Sequence, residues 1–247
     1  MEKYGLIGYP LGHSFSATYF TEKFNRENID ARYDNYEMQT IDDLLPLLHN
    51  EPELRGLNVT IPHKQAVIPL LDDISDTARA IGAVNVIRIR RNGNSIHLKG
   101  YNSDVIGFCQ SIRPLLHPEL HRHALVLGTG GASKAVVYGL QQMGLSAICV
   151  SRTPADGRLT YADINAEIME THKVIVNCTP AGMYPQTETC PSIPYNLLTS
   201  SHLLYDLVYN PLETKFMHLG AKQGATVKNG LEMLHLQAEA GWNFWHT

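Results

Sequence analysis

The sequence predicts an α/β fold, and three observations carry the prediction. Short apolar runs alternate with stretches of helical spacing along most of the chain, from residues 4–8 to a closing helix. One run, from His123 to Lys134, breaks into Gly128-Thr129-Gly130-Gly131-Ala132 and then resumes with helical spacing, which reads as strand, phosphate-binding loop and helix. The next apolar run ends on Ser151-Arg152-Thr153, as the second strand of a doubly wound nucleotide-binding unit would end beside a ribose.

Composition narrows the partners. The 247 residues, 44% hydrophobic and 18% charged, can bury one large core or two modest ones. A net charge of -4 with interspersed signs offers no basic stripe for nucleic acid and no polybasic patch for a membrane, so a small-molecule partner is expected. Cys109, Cys149, Cys178 and Cys190 lie far apart without a C-x-x-C pair, so they are read as buried thiols rather than as disulfides or a zinc site. Residues 1–10 lack a basic segment followed by an apolar core, and no apolar run approaches spanning length, so a cytoplasmic, reducing location is expected.

Residues 4–8 form an apolar strand that ends in Gly8-Tyr-Pro-Leu-Gly-His-Ser14-Phe-Ser16, a loop of turn formers and hydroxyls. Ser16 is placed to cap the following helix, whose apolar face is Tyr19, Phe20, Phe24 and Ile29. Ser14 has no such local task, and two hydroxyls on one loop can instead receive a carboxylate. Residues 33–38 alternate as a second strand. Ile41, Leu44, Leu45, Leu47 and Leu48 then mark a helix that Pro46 limits or kinks.

Leu57, Val59 and Ile61 alternate with Asn58 and Thr60, after which Pro62 suits the first turn of a helix and sets Lys64 in it. A lysine there is ordinarily a solvated surface charge, but the positive end of a helix dipole disfavours the ammonium, which suits proton transfer. Residues 72–81 read as a loop and short helix, and two extended runs flanking Asn92-Gly-Asn94 as a hairpin. Asn85, among apolar strand residues, is either a structural bridge or a ligand for substrate hydroxyls. Asn102 or Ser103 caps a long helix leading into the next domain, where Asp104 sits favourably in the first turn.

His117-Pro-Glu-Leu-His121-Arg-His123 has the residues of a metal cluster, yet it lies in a polar connection without a third liganding segment, so no metal is expected. Val136, Val137, Leu140 and Met143 mark the helix after the glycine loop. An NAD site places Asp or Glu roughly twenty residues beyond the glycines to hold the ribose 2′-hydroxyl. Here Ser151, Arg152 and Thr153 stand instead, and an arginine with two hydroxyls suits a 2′-phosphate, so NADP is expected. Residues 173–183 and 201–211 are two further strand-and-turn segments, and Phe216 and Leu219 mark a helix before a last strand at 225–227. Leu231, Leu234, Ala238, Trp242 and Trp245 would form the buried face of the closing helix, with Gln237 polar beside it.

Gly8-Tyr-Pro-Leu-Gly-His-Ser-Phe-Ser16, Asn58-Val-Thr-Ile-Pro-His-Lys64, Gly82-Ala-Val-Asn85, Asn102-Ser-Asp104, Gly128-Thr-Gly-Gly-Ala132, Ser151-Arg-Thr153, Asn177-Cys-Thr-Pro-Ala-Gly-Met183, Asp206-Leu-Val-Tyr-Asn-Pro211 and Gly230-Leu-Glu-Met-Leu-His-Leu-Gln237 follow one another through nearly the whole chain. Together, in this register, they closely resemble the shikimate dehydrogenase family. The resemblance implies that Ser14 and Ser16 bind a substrate carboxylate, that Lys64 and Asp104 are catalytic and touch substrate, and that Asn58, Thr60, Asn85, Tyr209 and Gln237 face the substrate ring. It also implies NADP contacts at Asp76, Gly128, Thr129, Gly130, Gly131, Ala132, Ser151, Arg152, Thr153, Leu207 and Gly230. The chain departs from the family pattern at Ala17 and Phe20-Thr21, at Val86 and Ser103 in place of threonines, and at Ser151 in place of asparagine. A second basic residue common beyond the Asn-Arg-Thr pattern is replaced by Asp156, with Arg158 the nearest substitute, so the NADP preference is expected to be less strict.

The same resemblance implies two lobes. An N-terminal α/β substrate-binding lobe would span residues 1–101, completed by residues 231–247, and a doubly wound Rossmann-type nucleotide-binding lobe would span residues 102–230, with the active site in the cleft between them. The implied reaction is the reversible NADPH-dependent reduction of 3-dehydroshikimate to shikimate, on the way to chorismate and the aromatic amino acids. Lys64 would give a proton to the growing alkoxide or act as its electrostatic equivalent, and Asp104 would orient Lys64 and a ring hydroxyl. The alternatives are a quinate or dual quinate/shikimate dehydrogenase and a non-catalytic nucleotide-binding relative. The paired serines favour shikimate, and Lys64 with Asp104 favours an enzyme. The sequence leaves a monomer and a homodimer both open.

Overall fold

The computed structural model describes residues 1–247 apart from His13, Ser14 and Asn94. By internal contact the chain divides into Met1–Ser103 with Ala238–Thr247, and Asp104–Gln237.

The first unit runs β1 (Glu2–Gly8), α1 (Phe15–Glu27), β2 (Ala31–Glu37), α2 (Leu44–Asn50), β3 (Leu54–Val59), α3 (His63–Ala66), β4 (Asp73–Ile74), α4 (Asp76–Ile81), β5 (Val86–Asn92) and β6 (Ser95–Tyr101). Its sheet has the order β2-β1-β3-β5-β6-β4. β1 pairs in parallel with β2 and β3, each joined through a helical crossover, whereas β3, β5 and β6 are antiparallel, as the expected hairpin requires. β1 is buried from Tyr4 to Gly8, so it reads as an apolar run rather than a half-polar alternation. Ile7 joins Leu44, Leu48, Leu57 and Val59 on one face, while Tyr4 and Leu6 join Phe20, Phe24 and Trp245 on the other. Pro46 does not kink α2. A short 3-10 turn over Ile41–Asp43 precedes the helix, so Pro46 falls in the first turn, where its missing N–H costs nothing.

The second unit runs α5 (Asp104–Ile112), β7 (His123–Leu127), α6 (Gly131–Gln142), β8 (Ser146–Ser151), β9 (Arg158–Thr160), α7 (Ala166–Thr171), β10 (Val174–Asn177), β11 (Leu203–Asp206), α8 (Lys215–Lys222), β12 (Thr226–Lys228) and the start of α9 (Leu231–Trp245). Its sheet, β12-β11-β10-β7-β8-β9, is paired in parallel throughout. The chain moves outward from β7 through β8 and β9, then returns to β10 on the other side of β7. That reversal is the switch point of a doubly wound sheet, and ligands bind outside the carboxyl ends of the strands there. Ala124 and Val126 pack with Phe108, Val136 and Leu140 on one face, and Leu125 and Leu127 with Met169, Phe216 and Met217 on the other.

Two expected helices differ in detail. α5 is nine residues rather than long, because it tightens into a 3-10 turn at Arg113–Leu115 that contains Pro114. α9 serves both units, with its residues up to Gln237 in the second and those from Ala238 in the first. A single apolar stripe therefore does not describe it: Met233, Ala238, Gly241 and Trp245 are buried, whereas Leu231, Leu234 and Trp242 are only partly covered. The four cysteines are unpaired and partly rather than fully buried, and desolvation raises the thiol pKa of Cys109, Cys149 and Cys178. Among the described residues no helix is long and apolar enough to cross a membrane.

Candidate active site

In the first unit, several of the residues singled out from sequence stand on one polar chain. Ser14 lies outside the described residues. Ser16 is the second residue of α1, inside the helix and not its cap, and its hydroxyl lies near enough to the Tyr33 phenol to oppose, in part, the effect of burial on it. Tyr33 donates to Asn58 Oδ1 at 2.7 Å, and Asn58 Nδ2 lies 3.4 Å from the Asn85 carbonyl. Asn85 Nδ2 donates to Ser103 Oγ at 2.9 Å while its Oδ1 accepts the Ser103 N–H at 2.7 Å, so both ends of the amide are engaged with Ser103. Asn102 continues the pattern by donating to the Ala83 carbonyl at 2.9 Å. Burial pushes the Tyr33 phenol far above its ordinary range and keeps it a donor. Tyr33 escaped the sequence reading. Its signal there is a phenol on the inward face of a strand, whose hydroxyl must find a partner.

Thr60 follows β3 directly, half-buried, its N–H donating to the Ile7 carbonyl at 2.9 Å. Lys64 is the second residue of α3, also half-buried, and its carbonyl accepts the Val84 N–H at 2.7 Å. Its neighbour His63 is buried, with Nε2 2.8 Å from the Met38 carbonyl, which anchors this turn beneath β2. α3 is a single turn of four residues, too short to build much of a macrodipole, so the helix-field argument for Lys64 loses its source. Asp76 opens α4 as an exposed residue, next to Ser75, which caps that helix through the Ala78 N–H.

In the second unit, Asp104 is the buried first residue of α5. Gly128 has φ +109°, a backbone that side-chain-bearing residues rarely adopt, and its N–H donates to the Val150 carbonyl at 2.9 Å. A side chain at Gly130 would meet only open space, and α6 starts at Gly131 with no acid in its first turn. Open room above uncapped N–H groups at the start of a twelve-residue helix fits a pyrophosphate. At the end of β8, the Ser151 hydroxyl donates to the Thr153 carbonyl, and Arg152 and Thr153 are exposed. Arg158 begins β9, which pairs alongside β8. The first acid after Ser151 is Asp156, so a basic group is the nearer to a phosphate along the chain.

On the other side of the switch point, β10 and β11 end on the paired residues Asn177 and Asp206. Asp206 is fully buried and accepts three hydrogen bonds, from Asn177 Nδ2 at 2.9 Å, the Val208 N–H at 3.0 Å and Thr214 Oγ1 at 2.6 Å. Burial pushes its carboxyl up to about 6, against the pull of those three donors. Leu207 donates its N–H to the Asn177 carbonyl at 2.9 Å, and Gly230 donates to the Val208 carbonyl at 3.1 Å. Any side chain at Gly230 would overlap the Leu207 carbonyl, which explains the glycine. Tyr209 is half-buried, with its phenol raised by desolvation, and Gln237 Nε2 donates to the Leu234 carbonyl at 2.9 Å.

The histidine-rich connection has a structural explanation. His121 is buried, its Nδ1 accepting the His117 N–H at 3.0 Å and its Nε2 lying 3.3 Å from the Ser201 carbonyl. Among the described residues no group of three or more His, Cys, Asp or Glu could hold a metal. A cavity of about 450 Å³ lined by Leu116, His121, Met143 and Ser146 lies at the amino ends of β7 and β8. No candidate residue lines it, and a doubly wound sheet binds ligands at the opposite ends of its strands.

The family model for the shikimate dehydrogenase substrate binding domain matches residues 6–87, all within the first unit. The NADP(+) shikimate dehydrogenase of Methanosphaera stadtmanae is 34% identical over 249 residues, covering 93% of this chain and 86% of that protein. The chain belongs to the shikimate dehydrogenase family. Solved shikimate dehydrogenases share the fold. That of Aquifex aeolicus aligns with TM-score 0.85 at 33% identity, over 99% of this chain and 92% of its own. That of Thermus thermophilus, solved in complex with NADP(H) and shikimate, aligns with TM-score 0.85 at 29% identity, over 99% and 93%. The α/β architecture read from the sequence, with its doubly wound half, is therefore the architecture of this family.

Proposed function

We propose that this protein is an NADP-dependent shikimate dehydrogenase, which reversibly reduces 3-dehydroshikimate to shikimate in the route to chorismate and the aromatic amino acids. The observation that carries this reading is the near full-length similarity to shikimate dehydrogenases. The first unit binds the small-molecule substrate and the second binds NADP, in a cytoplasmic enzyme that needs neither nucleic acid nor membrane. When bound, NADPH supplies the hydride for the carbonyl carbon. Lys64 provides the proton, or a fixed positive charge, to the oxygen that becomes the new hydroxyl. Asp104 orients a ring hydroxyl. Ser14 and Ser16 receive the carboxylate, and the hydrogen bond from Tyr33 to Asn58 supports this by committing the phenol proton elsewhere and fixing the phenol beside Ser16. Asn58, Thr60, Asn85, Tyr209 and Gln237 face the ring. Residues 128–132 take the pyrophosphate, Ser151, Arg152 and Thr153 the 2′-phosphate, Asp76 a further cofactor contact, and Leu207 and Gly230 the nicotinamide side.

Absorbance at the nicotinamide wavelength, followed with NADP⁺ and either shikimate or quinate, tests the reading. Reduction with shikimate supports it. Turnover of quinate alone, or of neither substrate, overturns it.

Cofactor choice rests on Arg152. A charge-assisted contact to the 2′-phosphate is worth roughly 1.5–3 kcal/mol, or about ten- to hundredfold in affinity. Arg152→Ala is expected to raise KM for NADP⁺ by about one order of magnitude and to leave KM for NAD⁺ nearly unchanged, since NAD⁺ has no phosphate there. Equal losses with both cofactors would reassign Arg152 to holding the loop.

A further inference from the structure

The doubly wound topology divides the dinucleotide between two sides of β7. The adenosine half lies toward β8, where Ser151, Arg152 and Thr153 end the strand, so the nicotinamide half lies toward β10 and β11. The floor on that side is made by two turns, residues 178–183 after β10 and residues 207–214 after β11. Neither turn is held by secondary structure of its own, and a turn without a ladder needs other hydrogen bonds to keep one conformation.

Those bonds converge on a single carboxylate. Asp206 Oδ1 accepts from Asn177 Nδ2 and from the Val208 N–H, and its Oδ2 accepts from Thr214 Oγ1. Asn177 passes the restraint into the first turn, because its Oδ1 accepts the Thr179 N–H at 3.0 Å and the Thr179 hydroxyl at 2.6 Å, while Nδ2 also reaches the Ala181 carbonyl at 3.3 Å. Thr214 passes it into α8, whose first turn it caps through the Met217 N–H at 3.3 Å. The stretch between is pinned at both neighbouring points: Leu207 N–H to the Asn177 carbonyl, and the Val208 carbonyl to the Gly230 N–H. The three donors on Asp206 are neutral, and among the described residues no cation forms an ion pair with it. A fully buried carboxylate without a counter-ion is costly to keep for packing alone, because an apolar side chain of similar size would serve a merely structural role.

We infer that Asp206 is a positioning residue for the nicotinamide half of the cofactor, tying the turn after β10 to the turn after β11 so that the backbone from Leu207 to Tyr209 forms a fixed ledge. The inference rests on the NADP reading above. It assigns no chemistry to Asp206, which acts through the ledge.

The test compares two ligands by calorimetry on the full chain. NADPH occupies both halves of the site, whereas adenosine 2′,5′-bisphosphate carries the adenosine groups and no nicotinamide. Asp206→Ala is expected to weaken NADPH binding by about tenfold or more while adenosine 2′,5′-bisphosphate changes by less than about twofold. Thr214→Val, which removes one donor and no charge, is expected to shift the same ratio in the same direction by about threefold, and it keeps the test open if Asp206→Ala does not fold. The blue-shifted emission of bound NADPH should weaken in parallel. Equal losses for both ligands, or no loss for either, would overturn the inference. Failure of the unaltered protein to bind either ligand would overturn the cofactor reading itself, a result distinguishable because it precedes any substitution.

Discussion

Lys64→Ala is expected to lower kcat by about two to four powers of ten with little change in shikimate affinity, because a positioned acid or cation acts on charge that develops only at the transition state. The structure sharpens where the effect must come from. Lys64 stands on a single helical turn pinned by buried His63 and by the Val84 N–H to its own carbonyl, so its backbone is fixed while its side chain is only half-buried. A one-turn helix supplies little field, so the activating environment has to come from substrate and from the side chains around it. Steady-state kinetics of Lys64→Ala and Lys64→Arg decide the matter. Loss in alanine with partial recovery in arginine marks a role for positive charge, loss in both marks proton transfer, and wild-type turnover in alanine removes Lys64 from the mechanism.

The second large effect is on stability. Asp206 has an ordinary value of 3.8 and a folded value of about 6. Below the lower value the group carries its proton in folded and unfolded chains alike. As pH rises from 3.8 toward about 6, the unfolded chain releases that proton while the folded chain retains it, so stability falls across this window and stays lower above it. The loss attributable to this one buried group is about 3 kcal/mol at 1.36 kcal/mol per unit. Cys178 and Tyr195 face the same carboxylate, and burial keeps both neutral through this window. Denaturant titrations of the unaltered protein and Asp206→Asn at about pH 4 and about pH 7.5 isolate the effect, since most other groups cancel in the difference. The amide variant should gain about 3 kcal/mol relative to the carboxylate on going to the higher pH. A difference that does not change with pH would show that Asp206 titrates normally.

Much of the fold was legible because each element obeys a local rule. The buried positions Phe20 and Phe24 of α1 and Val136 and Leu140 of α6, the hairpin at Gly93 and the turn at Gly128 follow from spacing and glycine chemistry that neighbouring residues alone determine, whereas Ile29 and Met143 fall beyond the ends of those helices. α9 was misread for the opposite reason. Its buried residues are set by two different packing environments, and no single period describes both. Ser16 lies two positions inside the cap, and hydroxyls before and inside a first helical turn look alike in sequence. The hydrogen bonds of Tyr33 and Asp206 leave no local trace in the sequence because each is made with a partner distant along the chain. Tyr33 meets Asn58, and Asp206 meets Asn177, only once strands are paired. The residues that the resemblance supplied, such as Thr60, Tyr209 and Asp76, carry no local signal that physical reading alone would have found.

The discontinuity of the first unit sets an order of events during synthesis. Its core is closed by residues from Ala238 onward: Trp245 stacks on Tyr4 at 4.8 Å and donates to the Ile87 carbonyl at 3.1 Å, and its indole fills the space that a side chain at Gly56 would occupy. Glu239 holds buried Lys23 at 2.9 Å. The intervening segment 104–237 is continuous and leaves the ribosome before those residues do. The unit encoded first is thus completed last, and nascent chains must carry Tyr4, Phe20 and Phe24 partly uncovered until residues 238–247 have emerged. Protease digestion of ribosome-stalled chains halted at increasing lengths should show residues 104–237 becoming protected before residues 1–103, and protection in the reverse order would mean that the first unit closes without its helix.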